Sequence, residues 1–436
     1  MKAIITIVCI VLMLLLSWSM LKTIKQPSFY EQGTNAFEAG DYEKALGFFD
    51  KSVEKKPNNS KIYLSRGITH LTMGSAEKSE QLDLAIQDFS KALEIKPDYV
   101  EALYNRGIAH SSYIHFNGQP LEGENKQHYD AAISDLDKVE QLDNSFTLLY
   151  AGRGALQYKS GDMLTAQKDM NKALSQQAQI TKIAGKEKLG AVYYNYGLIF
   201  NQMMKLGQSF KSFEKAVSLN SSLAPAYGEL LGVYMMVQNY HDAVSYAEKA
   251  LYFTKEANIP AWNDKVFYYQ YLQGVAYYQL ENYEKAVRSL GLMLADESEH
   301  NTIKPCAQIY LALSKKKLGN AQEARQLADE AFKNIASIPQ ISSAKKNFYK
   351  ALAYYARGDS RKTEEFLKKV IKDNEEYKVG NLFDYTVEAY YRLGLIYAAK
   401  NKKRTAISYF KKAREEISTS PVPLKSKVSY INELIK

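Results

Sequence analysis

The sequence predicts an all-α protein built as a row of about ten helical hairpins. Three observations lead there. Helix formers such as Ala, Leu, Lys, Glu and Gln dominate the 436 residues, with only 10 prolines and 23 glycines. Period-2 alternation of β-branched residues, the mark of a half-buried strand, is almost absent. Small residues at a fixed spacing recur about ten times between residues 26 and 420, as a repeat architecture requires. One compact core rarely suffices at this length, so size also favours an array. A composition of 46% hydrophobic and 24% charged residues describes an ordered chain.

The first element lies outside the array. Ala3 to Leu21 runs for 19 residues without a formal charge, flanked by Lys2, Lys22 and Lys25. At about 1.5 Å per residue such a helix just spans a bilayer core. It exceeds the roughly 7–15 apolar residues of a cleaved signal, although Ser17-Trp18-Ser19 offers a small-x-small site. Residues 1–25 are therefore expected to be a transmembrane anchor or a signal peptide. The anchor implies a single-pass membrane location through residues 3–21, with the repeats in an aqueous compartment, extracytoplasmic or periplasmic rather than cytoplasmic. Ser28 followed by Glu31 then fits a capping box, and the array begins there.

The joint between hairpins is clearest from Ala85 to Gly107. Ala85 and Ala92 bracket Phe89, Pro97 stops the run, and Ala102 to Gly107 opens the next helix. The same spacing aligns Gly33, Gly67, Gly107, Gly154, Gly197, Gly274 and Gly394 with one another. It also aligns Ala45, Ala85, Ala132, Ala166, Ala243, Ala286, Ala324 and Ala406, and beyond them Phe49, Phe89, Phe213 and Phe410. With these residues the chain resembles the tetratricopeptide repeat (TPR) family, a 34-residue helix–turn–helix unit. They match its positions 8, 20 and 24, while Ala92, Ala173, Ala216, Ala250, Ala331 and Ala413 match position 27 and Pro57 and Pro97 match 32. The resemblance implies a right-handed superhelical solenoid. Its units are expected at 26–59, 60–99, 100–146, 147–180, 190–223, 224–257, 267–300, 305–338, 344–377 and 387–420.

Packing explains the pattern: a side chain larger than a methyl at position 8 would push the two helices of a hairpin apart. Gly40-Asp41 and Gly161-Asp162 read as a C′ glycine followed by an N-cap. Extra residues fall in the turns of repeats 2 and 3, Ser75–Leu82 and Ser112–His128, and between repeats around 176–189, 254–264 and 373–384. The two turn insertions should project from one edge. Repeat 8 carries Ala312 at position 8, and repeat 9 carries Ala351. Within residues 421–436, Val428, Ile431 and Leu434 recur at helical spacing, which is expected of a cap over the last apolar face.

No catalytic spacing is present: no P-loop, G-x-S-x-G, H-E-x-x-H, C-x-x-C or dinucleotide fingerprint. The chain is accordingly expected not to be an enzyme and to need no cofactor. Cys9 and Cys306 are too few and too separate for a disulfide framework or a thiolate zinc site. His70, His110, His115 and His128 cluster in repeats 2 and 3, and the first two occupy position 11, the slot of a buried aromatic. Packing explains them better than metal ligation.

In the family the first helices line a concave groove that binds peptides through positions 2, 5, 9 and 12. The resemblance therefore makes Tyr30, Tyr104, Tyr194, Tyr271 and Tyr391 at position 5 candidates for groove contacts. Phe37, Tyr158, Tyr278 and Tyr355 at position 12 join them. A tyrosine offers an apolar face with a polar tip, which suits a protein or peptide partner. The clamp some members use for a chaperone's C-terminal tail is disfavoured, since Tyr30, Thr34 and Ser65 stand where Lys, Asn and Asn are needed.

Charge adds an alternative. Residues 301–436 hold 27 Lys and Arg against 14 Asp and Glu, whereas the remainder holds 30 against 34. Such a basic third can meet nucleic acid or an anionic surface. However, Glu364, Glu365, Glu415 and Glu416 interrupt it, as on a solvated helix face, so nucleic acid is not the expected partner. The leading expectation is a membrane-tethered, non-catalytic scaffold; a secreted or periplasmic binding module is the alternative if the signal is cleaved.

Overall fold

The computed structural model describes residues 27–74, 79–114, 120–257, 265–295, 303–335, 338, 341–376, 385–419 and 425–435. Among them are 21 helices and no strand, paired as hairpins, in agreement with the all-α fold class. The chain divides into two compact units, Met1–Ile183 and Ala184–Lys436.

The first unit stacks four hairpins: α1 (Phe29–Glu38) with α2 (Tyr42–Lys55), α3 (Ser60–Met73) with α4 (Ser79–Ile95), α5 (Val100–Ser112) with α6 (Gly123–Leu142), and α7 (Leu149–Ser160) with α8 (Met163–Ser175). The inserted residues from Ser79 are wound into α4, where Leu82 is buried, and those of repeat 3 lengthen α6 to 20 residues. Residues 75–78 and 115–119 lie outside the described residues. Helix α9 (Gln177–Gln202) crosses the unit boundary and bends at Gly185, whose φ of 84° is left-handed.

In the second unit, α9 pairs with α10 (Leu206–Leu219) and is followed by α11 (Ala224–Met236) with α12 (Tyr240–Ala257) and α13 (Val266–Gln279) with α14 (Tyr283–Leu294). Next come α15 (Lys304–Lys317) with α16 (Ala321–Ile335), α17 (Ser343–Arg357) with α18 (Ser360–Glu376), and α19 (Tyr385–Ala399) with α20 (Lys403–Thr419). Helix α21 (Lys425–Ile435) closes the row: Ile431 is fully buried on Phe410, Ala413 and Ile417, with Val428 and Leu434 beside it.

Local chemistry sets the helix ends. The Ser28 backbone N–H donates to the Glu31 carboxylate at 2.7 Å, and the Glu31 N–H donates to the Ser28 hydroxyl at 3.2 Å, which completes the capping box. Eight hairpins turn through one left-handed residue: Gly40, Gly161, Gly319, Gly358, Met204, Gln238, Glu281 and Asn401. The residue after it begins the second helix; Asp41, Asp162, Asn239, Asn282 and Asp359 there accept a backbone N–H three residues on. Half of these turn residues are not glycine, so a glycine search finds only half of the turns.

Seven hairpins close on a glycine as the small-residue pattern requires, though against a different neighbour. A Cβ on Gly67 would sit 2.7 Å from the Phe89 ring, and one on Gly394 would sit 2.4 Å from the Phe410 ring. The glycine at position 8 therefore makes room for the ring at position 24 of its own hairpin. In repeat 8 the pair becomes Ala312 and Ala328, both fully buried, so a smaller residue at 24 accompanies a larger one at 8.

A ladder of arginines ties the first unit together. Arg66, Arg106 and Arg153 each donate through Nε and Nη2 to both oxygens of Asp88, Asp135 and Asp169 on the second helix of the same hairpin, at 2.7–3.2 Å. The remaining Nη1 reaches the preceding hairpin's second helix: Asp50, Ser90, or Asp137 with Glu140. Bidentate guanidinium–carboxylate geometry is the strongest form of this pair. In the second unit Gln273 and Ser289 make a neutral version at 2.8 Å.

The expectation of a single-pass membrane location is corrected. No helix of the described residues is long and apolar enough to cross a membrane. The longest, α9, carries Lys182, Lys186, Glu187 and Lys188, and the nearly uncharged α11 has only 13 residues where about 20 are needed. Residues 3–21, on which the anchor or signal reading rested, lie outside the described residues.

Candidate functional site

The nine aromatic residues singled out from the sequence divide between two environments. In the first unit they pack between helices. Tyr30 lies 5.9 Å from the Phe49 ring and shares a 3.0 Å hydrogen bond with the Ser65 hydroxyl. Phe37 packs on Tyr42 at 5.5 Å, and Tyr104 on Phe146 at 5.1 Å. Tyr104 is buried deeply enough to raise its phenol pKa well above the usual value. Tyr158 is half-buried on α7. Tyr194, in the second unit, packs on Phe213 at 5.9 Å in the same manner.

Tyr271, Tyr278, Tyr355 and Tyr391 face internal space in the second unit. The first helices of five successive hairpins, α11, α13, α15, α17 and α19, together wall a cavity of about 290 Å³. Gly232, Tyr271, Cys306, Tyr310, Tyr349 and Tyr385 represent the five. The Tyr271 and Tyr349 hydroxyls share a hydrogen bond at 3.1 Å within the wall, and the Tyr310 ring packs edge-on against Tyr271 and Tyr278. Burial raises the phenol pKa values of Tyr271, Tyr310 and Tyr349 and moves the Cys306 thiol up to about 11, so that thiol is not a nucleophile at neutral pH.

A second, more polar cavity of about 580 Å³ adjoins it, and Tyr240 and Gln279 line both. Tyr278, Tyr355 and Tyr391 line it with Lys317, Glu281, Glu388 and Arg392. Arg392 and Glu388 are 16% and 9% exposed and pair at 2.7 Å. Burial opposes the charge on Arg392, but Glu388, Tyr278 and Tyr310 hold the guanidinium firmly protonated. Tyr240 begins α12, yet it lies in the field of Glu388 and Arg392 on α19. Leu206, Met236 and Val237 likewise pack against the cluster of Tyr390 and Phe410. The sixth and the tenth hairpins thus meet beside this half-open inner space.

Groove positions 2, 5, 9 and 12 missed position 6 of each repeat, which supplies Leu272, Tyr310, Tyr349 and Arg392 to this wall. One sequence signal was present. Helix α13 has no charged residue and α11 has one, and helices without a polar face are buried on several sides.

The histidines find separate partners in the first unit. His70 Nδ1 donates to Gln81 Oε1 at 2.8 Å, while His110 and His128 share a hydrogen bond between their Nδ1 atoms at 3.0 Å. Burial and His128 lower the His110 pKa to about 4. No group of three or more His, Cys, Asp or Glu among the described residues is arranged to hold a metal ion. In the basic last third, Lys315, Arg357, Lys368, Lys369, Arg392 and Lys400 are engaged by carboxylates.

Comparison with known proteins agrees with this architecture. The family described as TPR repeat matches residues 78–112, and that described as Tetratricopeptide repeat matches 190–223 and 387–415. No curated protein sequence matches the chain. Among solved structures, the apo form of RapI is 15% identical, covers 83% of this chain and 99% of its own, and superposes with a TM-score of 0.57. A tetratricopeptide repeat protein from Parabacteroides merdae is 18% identical over 66% of this chain and 98% of its own, with a TM-score of 0.44. A thermophilic TPR protein of Thermus thermophilus is 15% identical over 46% of this chain and 95% of its own, with a TM-score of 0.38. The three matched segments thus carry tetratricopeptide repeats, and the hairpins of the described residues share that repeat's helix–turn–helix form; proteins with such repeats generally mediate protein–protein interaction.

Proposed function

We propose that the protein is a non-catalytic interaction module that takes a peptide segment of a protein partner into the inner cavity of its second unit. The supporting observation is the convergence of five first helices on one tyrosine-rich space that continues into a polar one. Pockets of several hundred Å³, mostly apolar with a few polar groups, are the usual shape of a binding site. Tyrosine walls supply contact area at low entropic cost together with hydroxyl hydrogen bonds. Tyr271, Tyr278, Tyr355 and Tyr391 are the proposed contacts among the residues chosen from sequence, joined by Tyr240, Tyr310 and Arg392. Tyr30, Phe37, Tyr104, Tyr158 and Tyr194 act in the packing of hairpins under this reading.

Gly232 provides the test. It lines the cavity, and a Cβ placed on it meets nothing within 4 Å. Gly232→Trp should therefore fill the space without straining the helix. Crosslinked pull-down from cells of the source organism is expected to recover a partner with the unaltered chain and to lose it about tenfold or more with the variant. The thermal midpoint should stay unchanged. Undiminished capture by a folded variant rejects the cavity as the binding site.

A further inference from the structure

We propose that this cavity selects a peptide in which an acidic residue, Asp or Glu, lies close to a large apolar one. The carboxylate would pair with Arg392, and the apolar side chain would lie among Tyr271, Tyr310 and Tyr349. The inference rests on the cavity reading above and adds the chemistry of the ligand.

The position of Arg392 carries the argument. The ladder arginines Arg66, Arg106 and Arg153 join different helices, so their charges are committed to the fold. Arg392 differs: its carboxylate partner Glu388 stands four residues earlier on the same helix, and its link to another helix is to the neutral Tyr278 hydroxyl of α13, so no carboxylate across a hairpin holds its charge. A guanidinium carries five N–H donors in a planar fork. Here Nε donates to Glu388, and the Tyr278 hydroxyl takes a further bond. The remaining donors belong to a group that lines the 580 Å³ cavity and also a smaller one of about 360 Å³ walled by α17, α18 and α19. A second carboxylate matches such a fork in shape and charge.

The rest of the wall agrees. Lys345 lines the apolar cavity and Lys317 the polar one, so with Arg392 three cations face two carboxylates, Glu388 and Glu281. Lys345 and Lys317 have no ion pair among the described residues. The side-chain amides of Gln238 and Gln279 also line the polar cavity. They can pair with peptide N–H and C=O groups, for which an anionic lipid has no equivalent. The apolar and charged regions share Tyr240 and Gln279, so one short segment reaches both.

A library of random octapeptides, acetylated and amidated so that only side chains carry charge, tests this on the immobilised full chain. The retained pool is sequenced. With the unaltered protein, Asp and Glu are expected to exceed Asn and Gln about tenfold beside an aromatic residue or Leu. Arg392→Gln should abolish that preference. Glu388→Gln should strengthen it, because Arg392 loses its competing carboxylate. A purely structural role for the pair would weaken retention in both variants, and Glu388→Gln keeps the test decisive even if Arg392→Gln fails to fold. A retained pool without acidic preference that disappears in Gly232→Trp overturns the inference and leaves the cavity reading standing. A pool equally acidic with folded Arg392→Gln also overturns it, and no retained pool at all overturns both.

Discussion

His110 shows how one residue can satisfy the repeat pattern and still alter the chemistry of its site. It occupies the slot of a buried aromatic, and burial together with its hydrogen-bonded neighbour His128 keeps its imidazole neutral down to about pH 4; Arg106 nearby acts in the same direction and Asp135 against it. Above the ordinary histidine pKa of about 6.5 both folded and unfolded chains carry the neutral ring, and nothing is lost. Between about 6.5 and 4 the unfolded chain takes up a proton that the folded chain refuses, so stability falls as the pH falls. Urea midpoints at pH 7 and pH 5 should therefore differ, and His110→Phe should reduce the difference. An equal drop in the variant would place the acid sensitivity elsewhere. The packing role of His110 was legible from its position in the repeat; its pairing with His128 was not, because the partner comes from inserted residues wound into the first turns of α6.

At the scale of elements, the hairpins rely on two devices that the small-residue pattern does not display. One is the left-handed turn residue, which is Met204, Gln238, Glu281 or Asn401 as often as glycine. The other is the arginine ladder, written in the sequence as Arg66-Gly67, Arg106-Gly107 and Arg153-Gly154 but given meaning only by Asp88, Asp135 and Asp169 across the hairpin. Asp135→Asn is expected to destabilise the first unit by about 2 kcal/mol, since it leaves a half-buried guanidinium without its bidentate partner. Chemical denaturation of the variant measures this, and a change under about 0.5 kcal/mol, typical of exposed pairs, would refute it. Helix α21 behaved as its apolar spacing foretold, because a bare face of Phe410 and Ile417 needs cover.

At the scale of the molecule, the second unit is defined by a meeting of segments about 150 residues apart in sequence: Met236 and Val237 pack against the cluster of Tyr390 and Phe410, and Tyr240, Glu388 and Arg392 line one cavity beside them. Losing that contact should loosen both sides at once. Tyr240→Ala is expected to speed amide hydrogen exchange throughout α19 as well as at the start of α12. Unchanged exchange in α19 would show that the two hairpins are held independently.

The sequence by itself determined the helical fold class and the pairing of helices into hairpins, because these follow from contacts within about 34 residues: a glycine against a ring, a cap against an orphan N–H. It also named four of the residues that line the inner space, Tyr271, Tyr278, Tyr355 and Tyr391. Only the tertiary structure decided that they differ from Tyr30, Tyr104 or Tyr194, whose repeat position Tyr271 and Tyr391 share. The difference lies in the convergence of five first helices on one space around Tyr271 and Tyr391, whereas Tyr30, Tyr104 and Tyr194 pack on neighbouring rings. No single repeat encodes it. The largely buried Arg392 therefore reads in sequence as one more basic residue of a basic third, and in the folded second unit as a charge lining a half-open cavity.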